Sequence, residues 1–77
     1  MQDLVQTVNF KLLTEKKLDE MGWVPRDLQE RLGIPERTYY RRLKEPGRMS
    51  VSQMRQWADA LHFTDQERLD VIRKILR

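Results

Sequence analysis

A short stretch of the chain concentrates the side chains best suited to do chemistry. Residues 37–48 carry five cations and one anion, for a net charge of +4, although the whole 77-residue chain carries only +3. The cations are Arg37, Arg41, Arg42, Lys44 and Arg48, and the anion is Glu45. Clustered guanidinium groups are the electrostatic signature of a surface that binds phosphate backbones. A solvated helix face is the alternative interpretation of the same charges.

Catalytic chemistry has little support in the composition. The chain contains no cysteine, which excludes disulfides, thiolate metal sites and cysteine nucleophiles, and His62 is its single histidine. Carboxylates such as Asp19 and Glu20 are scattered and lack the company that would make an acid/base couple. No glycine cluster is present to hold a phosphate. We therefore expect no enzyme activity, metal, cofactor or small-molecule ligand, with His62 serving at a helix C-terminus.

Size and polarity set the class of protein. A chain of this length has room for one hydrophobic core, so residues 1–77 are treated as a single domain. Charged residues make up 35% and apolar residues 39% of the sequence, too apolar for a disordered tail and too charged for a membrane protein. No purely apolar run exceeds two residues, so neither a transmembrane span nor a signal-peptide core is expected. A cytoplasmic location is the default expectation.

The elements that must position the basic stretch are all predicted to be helices. Apolar residues recur at helical spacing, and glycine and proline divide the chain into short segments. We predict helices over residues 4–21, 25–32 and 35–44, a fourth from Ser50 to about Leu61, and a fifth from Thr64 onward. The expected boundary residues are Gly22, Gly33, Pro46-Gly47, and the capping boxes Ser50/Gln53 and Thr64/Glu67. The predicted fold is all-α, a compact bundle of about five short helices.

The apolar residues of each segment predict the side that faces the core. The predicted inward stripes are Leu4, Val8 and Leu12, continued on a shifted stripe by Leu13, Lys17 and Leu18; Leu28 and Leu32; Tyr39 and Leu43; Met54, Trp57, Ala58 and Leu61; and Leu69, Ile72, Ile75 and Leu76. Tyr39 is thus predicted to be buried and Tyr40 exposed, although a one-residue rotation of the helix would exchange them. Trp23 and Trp57 are expected to be packing residues. The apolar ends of the chain either close this core or join two copies into a homodimer.

The connection between the second and third segments predicts how the basic helix is presented. Only Gly33-Ile34-Pro35 separates them, and so short a connection containing a glycine makes two helices cross steeply. Residues 24–44 are therefore predicted to form a helix-turn-helix, with the basic side of its second helix facing outward. An α-helix of this kind fits the major groove of B-form DNA.

Residues 10–63 resemble the lambda-repressor-like (Cro/XRE-type) helix-turn-helix family, over about two-thirds of the chain. The resemblance rests on Leu28, Leu32-Gly33-Ile34, Thr38-Tyr39-Tyr40-Arg41-Arg42-Leu43 and Ala58-Asp59-Ala60-Leu61. Three positions depart from the family's pattern: Gln29 where alanine is usual, Arg42 where an apolar residue is usual, and Val24-Pro25 in place of a polar pair. These departures bear on the crossing angle and rotation of the second helix.

The resemblance implies a small transcriptional regulator of the phage repressor or Cro type, located with the nucleoid in the cytoplasm, that binds double-stranded DNA sequence-specifically. It implies base contacts by Glu36, Arg37, Tyr40 and Arg41, and phosphate contacts by Arg26, Lys44, Arg48 and Arg55. The same scaffold could instead be a protein-interaction module, an inhibitor or adaptor whose basic face docks on an acidic protein, because fold does not dictate function.

Overall fold

Five helices make up most of the chain. The computed structural model describes residues 2–76, with side chains described for residues 10–74. The helices are α1 (Gln2–Met21), α2 (Pro25–Leu32), α3 (Glu36–Lys44), α4 (Val51–Ala60) and α5 (Asp65–Val71). A 3-10 turn, Pro46–Arg48, joins α3 to α4, and a π-helical segment, Ile72–Leu76, continues α5. Residues 2–76 contain no strand, so the all-α prediction is confirmed.

Three helices end in the same backbone arrangement, in which one residue adopts a left-handed φ. These residues are Gly22 (φ 70°), Gly33 (φ 67°) and His62 (φ 57°), after α1, α2 and α4 respectively. The next N–H donates to a carbonyl five residues back: Trp23 to Leu18 (2.8 Å), Ile34 to Gln29 (3.0 Å) and Phe63 to Ala58 (2.9 Å). Glycine adopts this conformation without strain, whereas the side chain of a histidine makes it costly. The predicted stops at Gly22 and Gly33 are confirmed, as is the place of His62 at a helix C-terminus.

Side chains satisfy the first N–H groups of α4 and α5, which confirms both predicted capping boxes. Ser50 Oγ accepts from the Gln53 N–H, and Gln53 Oε1 accepts from the Ser50 N–H, both at 3.0 Å. Thr64 Oγ1 accepts from the Glu67 N–H at 3.1 Å, and the Glu67 carboxylate accepts from the Thr64 N–H at 2.7 Å. Each cap contributes about 1 kcal/mol. The two helices therefore begin at fixed residues.

The core is centred on Trp57 of α4, which is fully buried. Tyr39 of α3 stacks on this indole with ring centroids 5.3 Å apart, and Phe10 of α1 approaches it at 5.6 Å. The indole Nε1–H donates to Thr14 Oγ1 at 3.1 Å, so its polar group is satisfied inside the core. Because these residues come from three helices, the cluster holds α1, α3 and α4 together.

The inward side of α1 matches the prediction only in the second half of the helix, where Leu18 is buried and Leu13 packs against the core. Leu12 was predicted to face the core but is 54% exposed, and the buried stripe runs instead through Phe10, Thr14 and Leu18. Thr14 interrupts the apolar pattern of that stripe because its hydroxyl is the acceptor for the buried indole. Leu4 and Val8, the other members of the predicted stripe, lie outside the described side chains.

The predicted inward side of α5 is also wrong. Leu69 is 46% and Ile72 45% exposed, whereas Val71 is buried. The inward stripe runs through Glu67 and Val71, one turn apart, and Glu67 is accommodated there because Lys17 of α1 pairs with it at 3.0 Å. Because Glu67 is charged, the spacing of apolar residues alone cannot reveal this inward side of α5. Ile75 and Leu76 lie in the π-helical segment, outside the described side chains.

Candidate nucleic-acid interface

Helix α3 has one side in the core and the opposite side in solvent. Tyr39 and Leu43, one turn apart, are buried, which confirms the prediction for both. The solvent side exposes the four side chains predicted to contact bases together with Lys44: Glu36, Arg37, Tyr40, Arg41 and Lys44. Burial of two residues one turn apart fixes the rotation of a helix about its axis. Tyr39 is therefore the buried tyrosine and Tyr40 the exposed one, as predicted.

The exposed Tyr40 rests against the core through Tyr39. The two ring centroids lie 4.9 Å apart at an interplanar angle of 84°, an edge-to-face contact. Half of the Tyr40 side chain stays exposed. Burial, and to a smaller extent Tyr40 and the carboxylate of Glu15, together raise the pKa of the Tyr39 hydroxyl to about 12. Tyr39 is thus a neutral packing residue, and Tyr40 offers an aromatic surface beside the cations of α3.

The connection between α2 and α3 accommodates the departures from the family pattern. The Asp27 carboxylate accepts from the Val24 N–H at 2.9 Å, which fixes the residue before Pro25 although Val24 has no side-chain acceptor to cap α2. Gln29 is half-buried, and its backbone carbonyl accepts the hydrogen bond from the Ile34 N–H that closes the turn. At the start of α3, the Tyr39 N–H donates to the Pro35 carbonyl at 3.0 Å. Three residues therefore suffice to bring α2 and α3 into contact.

The internal ion pairs of residues 10–74 do not include the cations of α3. Lys17 pairs with Glu67 at 3.0 Å, and Arg68 pairs with Asp59 at 2.6 Å. Among residues 10–74, no carboxylate lies at ion-pair distance from the four cations of α3, which are Arg37, Arg41, Arg42 and Lys44. Arg48, in the 3-10 turn, lies 3.7 Å from Glu45, but both side chains are largely exposed and such pairs contribute little.

A groove lies on each flank of α3. The groove toward α1 mixes both signs of charge with apolar surface, and it is lined by Lys11, Leu12, Glu15, Pro25, Tyr39, Tyr40, Leu43 and Lys44. The groove toward α4, called the arginine cleft from here on, is lined by Arg41, Arg42, Glu45, Arg48, Met49 and Gln53. Three guanidinium groups against one carboxylate make the arginine cleft the more cationic flank.

Arg42 and Gln53 join this surface although the family resemblance assigns them no DNA contact. Arg42 is half-buried, and this burial lowers the pKa of its guanidinium, as does the positive charge of Arg41. The group is nevertheless a cation at neutral pH. One signal was present in the sequence, because Arg42 stands where the family usually has an apolar residue. Gln53 carried no such signal beyond its place in the capping box of α4.

The four residues predicted to bind phosphates fall in different places. Lys44 lines the groove toward α1. Arg48 lines the arginine cleft. Arg26 is exposed in the first turn of α2 and lines neither groove. Arg55 borders an apolar cavity between α4 and α5, which Arg68 also lines. The structure therefore brings two of the four to the flanks of α3 and leaves Arg26 and Arg55 outside them.

Metal sites and membrane-spanning helices were also sought in the described part of the chain. Residues 10–74 contain no group of three His, Cys, Asp or Glu side chains arranged to hold a metal ion. None of the helices within residues 2–76 is both long enough and apolar enough to cross a membrane. Comparison with known proteins finds no matching family model, curated protein or solved structure.

Proposed function

We propose that the protein binds double-stranded DNA sequence-specifically through α3, as a small transcriptional regulator, with α2 and α3 acting as a helix-turn-helix. The observation that carries the proposal is that the cations of α3 have no acidic partner among residues 10–74. Cations with a structural role pair with the chain's own carboxylates, as Lys17 and Arg68 do. Cations held apart on a fixed helix instead favour a polyanion, because phosphate contacts release condensed counterions.

The shape of α3 supports insertion into the major groove. An α-helix with its side chains is about 10–12 Å across, and the groove is about 12 Å wide. Arg37 and Arg41 would each bridge O6 and N7 of a guanine, and Tyr40 would contact a thymine methyl group or the backbone. Glu36 would accept from N4 of a cytosine, and it also lies in the first turn of α3, where a carboxylate stabilises the helix N-terminus.

Specific binding calls for two copies of the chain. A single module of this kind buries only about 600–1,000 Å² on DNA, usually too little for tight specific binding. The proposed target is therefore a near-palindrome with half-sites about one helical turn apart. Occupation of this operator would block or recruit polymerase.

The test is a fluorescence-anisotropy titration with duplexes selected from a random pool. Affinity for the selected duplex should fall as salt rises from about 50 to 200 mM, with a log–log slope of about −0.9 per phosphate neutralised. Arg37→Ala should weaken this binding by about 1–3 kcal/mol and relax the preference at one base pair. Arg37 is chosen because it does not line the arginine cleft.

Arg31→Ala is the matched control. Arg31 lines a shallow depression with Gln56, Asp59 and Ala60 of α4, and neither flank of α3 includes it. Its removal should leave affinity and sequence preference unchanged. A wild-type chain without salt-dependent affinity for any duplex would contradict the proposal, and the cations of α3 would then be better explained by an acidic protein partner.

A further inference from the structure

We infer that the arginine cleft is an anion site for a phosphate group, and that this group is a backbone phosphate of the bound duplex. The inference rests on the proposed function for the source of the phosphate, and on the cleft itself for the chemistry. It gives roles to Arg42 and Gln53, which lie on α3 and α4 respectively. The cleft would thereby hold one DNA strand at the side of the base-contacting helix.

Positive charge is concentrated in the cleft at a cost to the folded chain. Arg41, Arg42 and Arg48 all line it, and among residues 10–74 neither Arg41 nor Arg42 has a carboxylate at ion-pair distance. Partial burial of Arg42 and the charge of Arg41 both lower the pKa of the Arg42 guanidinium, so its charged form is held there unfavourably. An anion bound between these groups removes the unfavourable energy, and guanidinium pairs suit the oxygens of a phosphate.

Gln53 completes the donor set of the cleft. The Gln53 side-chain Oε1 accepts from the Ser50 N–H at 3.0 Å, and the Gln53 backbone N–H donates to Ser50 Oγ. The capping box thus uses the carbonyl end of the side-chain amide and leaves the NH₂ group, which can only donate. A side chain whose free end only donates, beside three guanidinium groups, suits an oxyanion and not a cation.

Glu45 is the one group of the cleft that opposes an anion. Its carboxylate lies 3.7 Å from the Arg48 guanidinium, and both side chains are largely exposed. An exposed pair of this kind is weak, so a phosphate can replace the carboxylate as the partner of Arg48. Removing the charge of Glu45 should therefore strengthen anion binding.

The position of the cleft favours a DNA phosphate over a free one. A helix about as wide as the major groove places each of its flanks beside a phosphate strand. The cleft lies on the α4 flank of α3, next to the exposed Arg41. An open cleft excludes little water, so a small free anion would bind weakly, whereas a phosphate of a docked duplex is held there by the other contacts.

The experiment measures salt-dependent binding of the full chain to a random-sequence duplex. Arg42→Gln and Arg48→Gln should each reduce the log–log slope by about 1 and weaken binding equally on every sequence. Glu45→Gln should strengthen binding by about two- to fivefold at low salt. Arg31→Gln, the control of equal charge change, should match wild type. Because Arg42 is half-buried, Arg42→Lys is included, and it should keep the wild-type slope if charge is what matters.

Each outcome separates this site from the proposed function. If the wild-type chain binds the duplex steeply but Arg42→Gln and Arg48→Gln keep its slope, the cleft assignment is wrong and DNA binding stands. If the wild-type chain does not bind the duplex, DNA does not supply the phosphate group. The anion site is then tested with inorganic phosphate, which should shift the NMR signals of the Gln53 side-chain amide. If those signals do not shift, the anion site is wrong as well. If polyglutamate competes as well as the duplex and depends equally on Arg42, the ligand is a carboxylate and the phosphate assignment is overturned.

Discussion

Two adjacent tyrosines on α3 have opposite surroundings. Tyr39 is 1% exposed and stacks on Trp57, whereas Tyr40 is half exposed. Successive residues of a helix lie about 100° apart, so burying one turns the next toward the surface. The core contact of Tyr39 therefore sets the direction in which Arg37 and Arg41 project. Residue type alone does not separate the two tyrosines, but the spacing from Tyr39 to Leu43 does.

Burial makes Tyr39 sensitive to alkaline pH. Its pKa rises from 10.0 to about 12 on folding, so the buried neutral hydroxyl stabilises the folded chain below pH 10, and that stabilisation is lost as pH rises toward about 12. The loss is at most about 3 kcal/mol. We expect the urea midpoint of the wild-type chain, followed by circular dichroism, to fall across this interval. The urea midpoint of Tyr39→Phe should fall much less over the same pH interval.

Tyr40→Phe is the control for this titration, since it removes a hydroxyl from the neighbouring half-exposed ring. Its midpoint should keep most of the wild-type fall between pH 10 and 12, because burial, and not Tyr40, is the largest cause of the raised pKa of Tyr39. Should Tyr39→Phe fall in parallel with the wild-type chain, ionisation of the buried phenol is not what destabilises the fold.

At the scale of the elements, boundaries were predictable where local backbone chemistry sets them. The limits of α2 and the capped starts of α4 and α5 were predicted because glycine, proline and capping side chains act on their immediate neighbours. The inward sides of α5 and of the first half of α1 were not. Thr14 is polar because it accepts the hydrogen bond of the Trp57 indole, which lies 43 residues away in the sequence. Glu67 faces inward because it pairs with Lys17 of α1, and no local pattern reveals either of these long-range contacts.

The candidate site divides in the same way. The exposed side of α3 was predictable because it lies opposite Tyr39 and Leu43 on the same helix. The arginine cleft was not, because its lining comes from α3, the 3-10 turn and α4. The sequence contains these residues, but only packing of the loop and α4 brings Gln53 beside Arg42.

The ion pair between Glu67 of α5 and Lys17 of α1 should stop stabilising the fold at acid pH. Burial would raise the pKa of Glu67, but hydrogen bonds from Thr64 and the hydrogen bond and charge of Lys17 outweigh it, so the pKa is lowered from 4.5. A carboxyl with a lowered folded pKa stabilises the fold above its unfolded pKa, and this contribution is lost as pH falls through the folded value. Glu67→Gln should therefore lose about 1 kcal/mol at neutral pH and nothing relative to wild type at low pH.

Urea unfolding at neutral and acid pH measures this difference. Glu30→Gln, which neutralises an exposed carboxyl of α2, is the control and should track wild type at both pH values. A Glu67→Gln deficit that stays the same at low pH would mean that shape or hydrogen bonding, and not charge, accounts for the loss.

Across the described part of the molecule, which measures 31 × 23 × 22 Å, few cations pair with carboxylates, and none of those that do lies on α3. Lys17 joins α1 to α5, and Arg68 holds Asp59 of α4 and the Phe63 carbonyl. The cations of α3 take no part in this internal pairing within the described residues. Lys17 and Arg68, which pair inside the fold, are thus not among the side chains proposed to contact DNA, although Gln53 serves both the α4 cap and the arginine cleft.

The contact between Thr14 and Trp57 tests this separation. Thr14→Val keeps the shape of the side chain but leaves the buried indole N–H without its acceptor, which costs about 1–3 kcal/mol. Thr14→Ser retains the hydroxyl and should lose less. Because one core unites α1, α3 and α4, unfolding of Thr14→Val should remain a single transition, with circular dichroism and tryptophan fluorescence coinciding. Below that transition, affinity for the duplex should equal that of the wild-type chain. Separate transitions for the two probes would show that α1 detaches alone, and lost affinity in the folded variant would show that the core and the α3 surface are coupled.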